Sequence, residues 1–85
     1  MMNDMIHVVV KLSESVTDLV GHEILEYGLT PQAKLGGLIA LMYAKYPKLS
    51  EKMDNVELMI NGKPADLQVV LKEGDEVTVD LQEMG

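Results

Sequence analysis

One segment of this chain spaces its apolar residues as a helix does, while the segments before and after it alternate. Thr30 is a suitable N-cap, Pro31 suits the first helical position, and Pro47 ends the pattern. Between them the apolar residues recur at the spacing of one helical face: Leu35, Leu38, Ile39, Met42 and Tyr46. A helix with one apolar face must bury it against another element, so we expect it to pack on a sheet.

The alternating segments predict the strands of that sheet. Residues 5–12, "MIHVVVKL", form a half-buried strand, and 22–27 return beside it after turn-forming residues in 13–21. A third strand over 56–60 leads into an Asn-Gly turn and a brief extended piece, and 77–82 form the last strand. One helix and four to five strands predict an α+β fold, a single domain over residues 1–85.

The face of the sheet that turns away from the helix is a candidate docking surface. Its expected residues include two apolar ones, Val9 and Met59, beside Thr78 and Asp80. Isolated apolar groups on a surface are ordinary. Next to acidic residues they are also typical of a face that meets a partner.

Charge and composition exclude several kinds of function. The net charge is −7, and from Asp54 onward eight acids stand against two lysines. Nucleic acid is therefore not expected as a partner, because phosphate binding needs a surface rich in Lys and Arg. The chain has no cysteine and no apolar run of membrane-spanning length. We expect a cytoplasmic protein without membrane contact, whose acidic end is either a solubilising surface or a docking site for a basic partner.

No side-chain constellation in the sequence predicts catalysis or a resident metal or cofactor. His7 and His22 have no partner at ligand or triad spacing, and the serines lie outside any nucleophile-elbow pattern. The pair Asp75-Glu76 falls in a turn, where nothing separates the two pKa values as an acid–base dyad requires. By its side chains the protein is not catalytic on its own.

The sequence printed here ends "LQEMG", four residues after the last core position of the last strand. A terminal glycine carboxylate is a weak nucleophile that ATP activates as an acyl-adenylate when a second protein supplies the nucleotide site. Without a Cβ, glycine passes through a narrow channel and leaves its carbonyl open to attack. A terminus is more often chemically idle, so the residues alone leave both interpretations open.

The order of these segments resembles a known family. "IHVVVKL", "DLVGHE", "LGGLIALMYAKYP", "MINGKPAD" and "LKEGDEVTVDLQEMG" together resemble the MoaD/ThiS sulfur carriers, above all the small subunit of molybdopterin synthase. The resemblance covers nearly the whole chain. It implies a ubiquitin-like β-grasp fold with a mixed sheet and a short C-terminal tail, residues 82–85.

The resemblance also implies a chemistry and partners. An E1-like enzyme would use ATP to adenylate Gly85, which would become a thiocarboxylate and donate its sulfur on the large subunit of molybdopterin synthase. Gln82, Glu83 and Met84 would thread the tail into those partners, and Val9 and Met59 would belong to the docking face. The acceptor pathway stays open among molybdopterin, tungstopterin, thiamine and tRNA thiolation, and so does the oligomeric state.

One residue departs from the family pattern. Family members usually end Gly-Gly, whereas Met84 precedes Gly85 here. The alternative hypothesis is therefore a non-catalytic β-grasp interaction module, or an accessory subunit, that has lost sulfur transfer.

Overall fold

A mixed five-stranded sheet is the centre of the fold, in a computed structural model that describes residues 4–82. The strands lie in the order β2-β1-β5-β3-β4, with β1 and β5 parallel and the other pairs antiparallel. Their bounds are β1 Ile6–Leu12, β2 Ile24–Leu29, β3 Val56–Ile60, β4 Lys63–Pro64 and β5 Glu76–Leu81. The prediction of an α+β fold with four to five strands in one sheet is confirmed.

Three helices and a 3-10 turn connect the strands. They are α1 (Glu14–Val20), α2 (Leu35–Lys45), α3 (Pro47–Ser50) and the 3-10 turn Met53–Asn55. The longest of these in the described part of the chain is α2, as the helical spacing predicted. Within residues 4–82, no helix is both long and apolar enough to cross a membrane.

The segment 13–21, predicted as a turn, is instead helix α1. Ser13 caps its start, with Oγ accepting a hydrogen bond from the Val16 amide, and Gly21 ends it in a left-handed conformation at φ 87°. Val16 and Val20 are buried. They are four residues apart, which is the spacing of neighbours on one helical face, so the sequence did contain a signal for this helix. Because Gly21 ends α1, the second strand begins at Ile24 rather than at residue 22.

Helix α2 begins later than the sequence predicted. Gln32 has φ 71°, which no α-helix accommodates, so residues 30–33 form a turn and the N-cap is Lys34. Lys34 makes no side-chain capping bond. The segment 65–75, between β4 and β5, takes that role through its carbonyl groups. The amides of Leu35 and Gly36 donate to the carbonyls of Val69 and Leu67, both at 2.9 Å.

The core lies between the sheet and these helices. The buried apolar residues form one cluster, to which both α1 and α2 contribute. Four of the five residues predicted for the apolar face of α2 are buried: Leu35, Leu38, Ile39 and Met42. The fifth, Tyr46, is the C-cap and is only partly buried. Alternate strand residues such as Val8, Val10, Val77 and Val79 meet them from the sheet: the cluster also contains Leu12, Val16, Val20, Leu29, Leu49 and Leu71. The other face of the sheet has no helix on it in the described chain.

Candidate partner-docking face

The sheet face without helices carries the residues that the sequence predicted for docking. We call it the open face. Strand register places twelve residues on it: His7, Val9, Lys11, Ile24, Glu26, Gly28, Glu57, Met59, Pro64, Glu76, Thr78 and Asp80. Val9, Met59, Thr78 and Asp80 are therefore brought together on β1, β5 and β3. Their role in docking remains a prediction.

One row of the open face crosses all five strands. Register pairs Ile24 with Lys11, Lys11 with Thr78, Thr78 with Met59 and Met59 with Pro64. The row is apolar at both ends, and Ile24 is 55% exposed. Between those ends lie Lys11, which has an aliphatic stem, and Thr78, which has a methyl group. This row is the most apolar strip of the face.

Carboxylates flank this row on both sides. On one side Val9 lies between Glu26 and Glu76, its partners on the two neighbouring strands. On the other side Glu57 and Asp80 lie directly opposite each other across β3 and β5. Directly opposed like charges repel, so the folded protein keeps these acids together at a small cost in stability.

Lys11 balances one of these acids, and His7 contacts Glu73 beside them. Lys11 Nζ lies 3.1 Å from Glu76 Oε2, and His7 Nδ1 lies 3.5 Å from Glu73 Oε1. Both pairs are exposed at the surface, where such contacts contribute little to stability. Glu26, Glu57 and Asp80 have no ion pair among the described residues. The open face therefore presents net negative charge around an apolar strip.

A depression lies at the β1–β2 end of the open face. Its volume is about 500 Å³, and the residues that face it include His7, Val9, Glu26, Gly28 and Glu73. The missing side chain at Gly28 helps to create this space. Its lining combines two carboxylates and a histidine with two valines and a tyrosine, and it is open to solvent rather than an enclosed cofactor cavity.

Titratable groups with a shifted pKa lie away from this face. Burial raises the pKa of Tyr27 and of Tyr43, and the Asp54 carboxylate adds to the effect at Tyr43. Both rings pack against the core. In residues 4–82, no group of three His, Asp or Glu side chains is placed to hold a metal ion.

The contribution of β2 to the open face was missed in the sequence. Ile24, Glu26 and Gly28 belong to it because they pair with Lys11, Val9 and His7. The signal was the alternation in "ILEYGL", whose other residues face the core. The predicted strand, residues 22–27, ends before Gly28 and Leu29 and so does not cover the full alternation.

The expected tail begins at a residue that is still tied to the fold. The amide of Gln82 donates to the Asn55 carbonyl at 2.7 Å, which extends the pairing of β5 with the segment before β3. The predicted roles of Glu83, Met84 and Gly85 fall on residues outside the described part of the chain.

Solved structures of similar fold cover nearly the whole chain. A putative molybdopterin converting factor, subunit 1, from Pyrococcus furiosus is 26% identical, with a TM-score of 0.83 over 92% of this chain and 99% of its own. Small archaeal modifier protein 1 of Haloferax volcanii is 19% identical, with a TM-score of 0.81 over 92% and 99% of the two chains. Urm1 of Trypanosoma brucei is 19% identical, with a TM-score of 0.74 over 99% of each chain.

The chain has a ubiquitin-like β-grasp fold, which it shares with these solved structures. No protein-family model matches its sequence, and no curated protein sequence matches it significantly. The relation to MoaD/ThiS-like proteins is therefore carried by the fold, and by 26% identity to the Pyrococcus protein. In that fold the open face is the side of the β-grasp sheet left free by the helices.

Proposed function

We propose that this protein is a cytoplasmic sulfur carrier of the MoaD/ThiS type. Gly85 is its chemical end: an E1-like enzyme joins the glycine carboxylate to AMP from ATP, releasing pyrophosphate. A sulfur donor then displaces AMP and leaves a thiocarboxylate. The sulfur is passed on in the synthesis of molybdopterin or a related cofactor. The chain itself binds no cofactor, and ATP belongs to the activating enzyme.

The observation that supports this proposal best is the match to the Pyrococcus protein, whose name is that of a putative molybdopterin converting factor subunit. It spans 92% of this chain and 99% of that one. Strand β5 lies at the centre of the sheet, paired with β1 and β3, and ends at Leu81. A central strand is a firm base from which a tail reaches into a partner.

The open face supplies the surface that partners would contact. Its apolar row would provide the buried centre of the interface, with Met59 and Thr78 near the middle. The acids on both sides favour a partner whose matching surface is basic and would speed their encounter. The partners in this proposal are the E1-like enzyme and the large subunit of molybdopterin synthase, or an equivalent acceptor.

The second candidate is a β-grasp interaction module or accessory subunit that does not transfer sulfur. Met84 favours it, because a methionine side chain would obstruct a channel shaped for two glycines. Such a module would use the open face alone. Removing Met84 and Gly85 would then leave partner binding unchanged.

Intact-protein mass spectrometry distinguishes the two candidates. The chain is incubated with ATP, a sulfur source and the E1-like enzyme of the same organism. We expect a mass gain equal to the replacement of one oxygen by sulfur, mapped to Gly85 by fragmentation and absent after deletion of Gly85. If the enzyme binds the chain tightly but never labels it, the sulfur-carrier proposal is wrong and the interaction module replaces it.

Two methionine variants test the docking face in the same assay. Met59 lies in the apolar row, whereas Met53 is 50% exposed in the 3-10 turn. We expect Met59→Ala to slow labelling of Gly85 and Met53→Ala to leave it unchanged. If Gly85 is labelled at the same rate in both variants, the open face does not contribute to docking and that part of the proposal is wrong.

A further inference from the structure

The Asn61-Gly62 turn has a chemical property beyond its part in the fold. It joins β3 to β4, with Asn61 at φ 52° and Gly62 at φ 84°, both left-handed as a tight hairpin turn requires. Asn61 is exposed to solvent. In an Asn-Gly pair the glycine offers no side chain to hinder its own amide nitrogen. That nitrogen is therefore free to attack the asparagine side chain when the local geometry allows it.

In the folded protein the Asn61 side chain is held on both of its polar atoms. Its Nδ2 donates to Asp75 Oδ1 at 3.0 Å, and its Oδ1 accepts from the Glu76 amide at 3.0 Å. The Asn61 amide also donates to the Glu76 carbonyl at 2.8 Å. Asp75 is fixed in turn, because its Oδ2 accepts from the Lys72 amide at 2.9 Å. These bonds hold the Asn61 carboxamide away from the reaction.

We propose that Asn61 is a deamidation site that the native fold protects and that local opening releases. In the reaction the Gly62 nitrogen bonds to Asn61 Cγ, losing its proton, and the side-chain nitrogen leaves as ammonia. Water then opens the cyclic imide and gives aspartate or its β-linked isomer at position 61. Water is the only co-reactant, and the step is not reversed.

The product does not fit the site that held asparagine. An aspartate at position 61 would place a carboxylate oxygen where Nδ2 now lies, 3.0 Å from Asp75 Oδ1. A hydrogen bond is thereby exchanged for a repulsion between two carboxylates. The turn at Asp75 leads into β5, and the Asp75 carbonyl accepts a bond from the Val9 amide at 3.1 Å. Deamidation therefore loosens the start of the central strand, independently of any sulfur transfer.

The first test compares the reaction in the folded and unfolded chain. Peptide mapping by mass spectrometry follows conversion of Asn61 in buffer and in concentrated urea at the same pH and temperature. The two side-chain hydrogen bonds of Asn61 contribute ~1 kcal/mol each, and ~1.4 kcal/mol corresponds to a tenfold change in rate. We therefore expect Asn61 to convert roughly 30-fold more slowly in the folded chain than in urea. Asn55, which precedes a valine, is the internal control and should convert more slowly than Asn61 in urea. Equal rates for Asn61 in both conditions would overturn the proposal.

The second test separates protection from its consequence with matched variants. Asn61→Asp should lower the folding equilibrium constant roughly tenfold. Asn55→Asp adds the same charge in the exposed 3-10 turn and should change the folding equilibrium constant roughly twofold or less. The double variant N61D/D75N restores the hydrogen bond between positions 61 and 75 with donor and acceptor exchanged. The amide at position 75 donates to the carboxylate at position 61, and its oxygen still accepts from the Lys72 amide. If N61D/D75N is no more stable than N61D alone, repulsion between the carboxylates at positions 61 and 75 does not cause the loss of stability, and that part of the proposal is wrong.

Discussion

Two adjacent glycines in α2 differ in a single contact. A Cβ added at Gly36 would lie 3.1 Å from the Leu67 carbonyl oxygen and 3.2 Å from Leu67 Cβ, whereas one at Gly37 would meet nothing within 4 Å. The sequence indicated a close approach or a loose first turn. The structure identifies the close approach, and the partner is the segment 65–75 rather than the sheet.

We therefore expect the same substitution to stabilise the protein at Gly37 but not at Gly36. Gly37→Ala should raise the free energy of unfolding by about 1 kcal/mol, the difference in helix propensity. Gly36→Ala gains the same helix propensity but forces Leu67 to move, at an overpacking cost of about 1–3 kcal/mol. The free energy of unfolding of Gly36→Ala should therefore be lower than that of Gly37→Ala by about 1–3 kcal/mol. Urea unfolding of both variants measures the difference. Equal stabilities would mean that the Leu67 contact relaxes freely.

At the scale of elements, the segment 65–75 acts as the missing N-terminal cap of α2. It contains no helix and no ladder strand, only an isolated bridge between Lys34 and Val70. Leu71 anchors it, with 2% of its surface exposed and its amide donating to the Ala33 carbonyl at 2.8 Å. The start of the main helix thus depends on a leucine far along the chain.

Leu71→Ala should lower the free energy of unfolding by about 2–5 kcal/mol, because it leaves a cavity in the core. Leu67, 49% exposed in the same segment, provides the control, and Leu67→Ala should cost far less. Hydrogen exchange adds a local readout: the amides of Leu35 and Gly36 should exchange faster in Leu71→Ala. Unchanged exchange there would separate Leu71 from the capping of α2.

At the scale of the whole molecule, acids that lie opposite each other on the open face lower the stability of the fold. Glu57 lies opposite Asp80 in a protein of net charge −7. Glu57→Lys would replace a repelling cross-strand pair by an attracting one, and we expect roughly 0.2–1 kcal/mol of added stability. Glu51→Lys, in an exposed turn away from the sheet, changes the net charge equally and is the control.

The same variant should bind the proposed activating enzyme more weakly, because it removes negative charge from the proposed docking face. Unfolding and binding measured at low and high salt check both effects, since screening reduces each. If Glu57→Lys is no more stable than Glu51→Lys, the cross-strand repulsion is negligible. If it binds as tightly as Glu51→Lys, the partner does not read the charge of this face.

The sequence by itself determined the elements whose periodicity is strong. The alternation of β1, β3 and β5 and the helical spacing of Leu35 to Met42 identified both faces of the sheet, because local side-chain spacing dictates which residues are buried together. It also placed Val9, Met59, Thr78 and Asp80 on one face. Their roles, and that of Gly85, remain predictions.

Tertiary structure decided what depends on partners distant in the sequence. Helix α2 begins at Leu35 rather than after Thr30 because its free amides find the carbonyls of Val69 and Leu67. The strip from Ile24 to Pro64 exists only once five strands are in register. Helix capping by a remote segment and alignment across a sheet both involve long-range contacts, which no local pattern encodes. Local spacing thus fixed the faces of this protein, and long-range pairing fixed where its elements begin and which side chains meet.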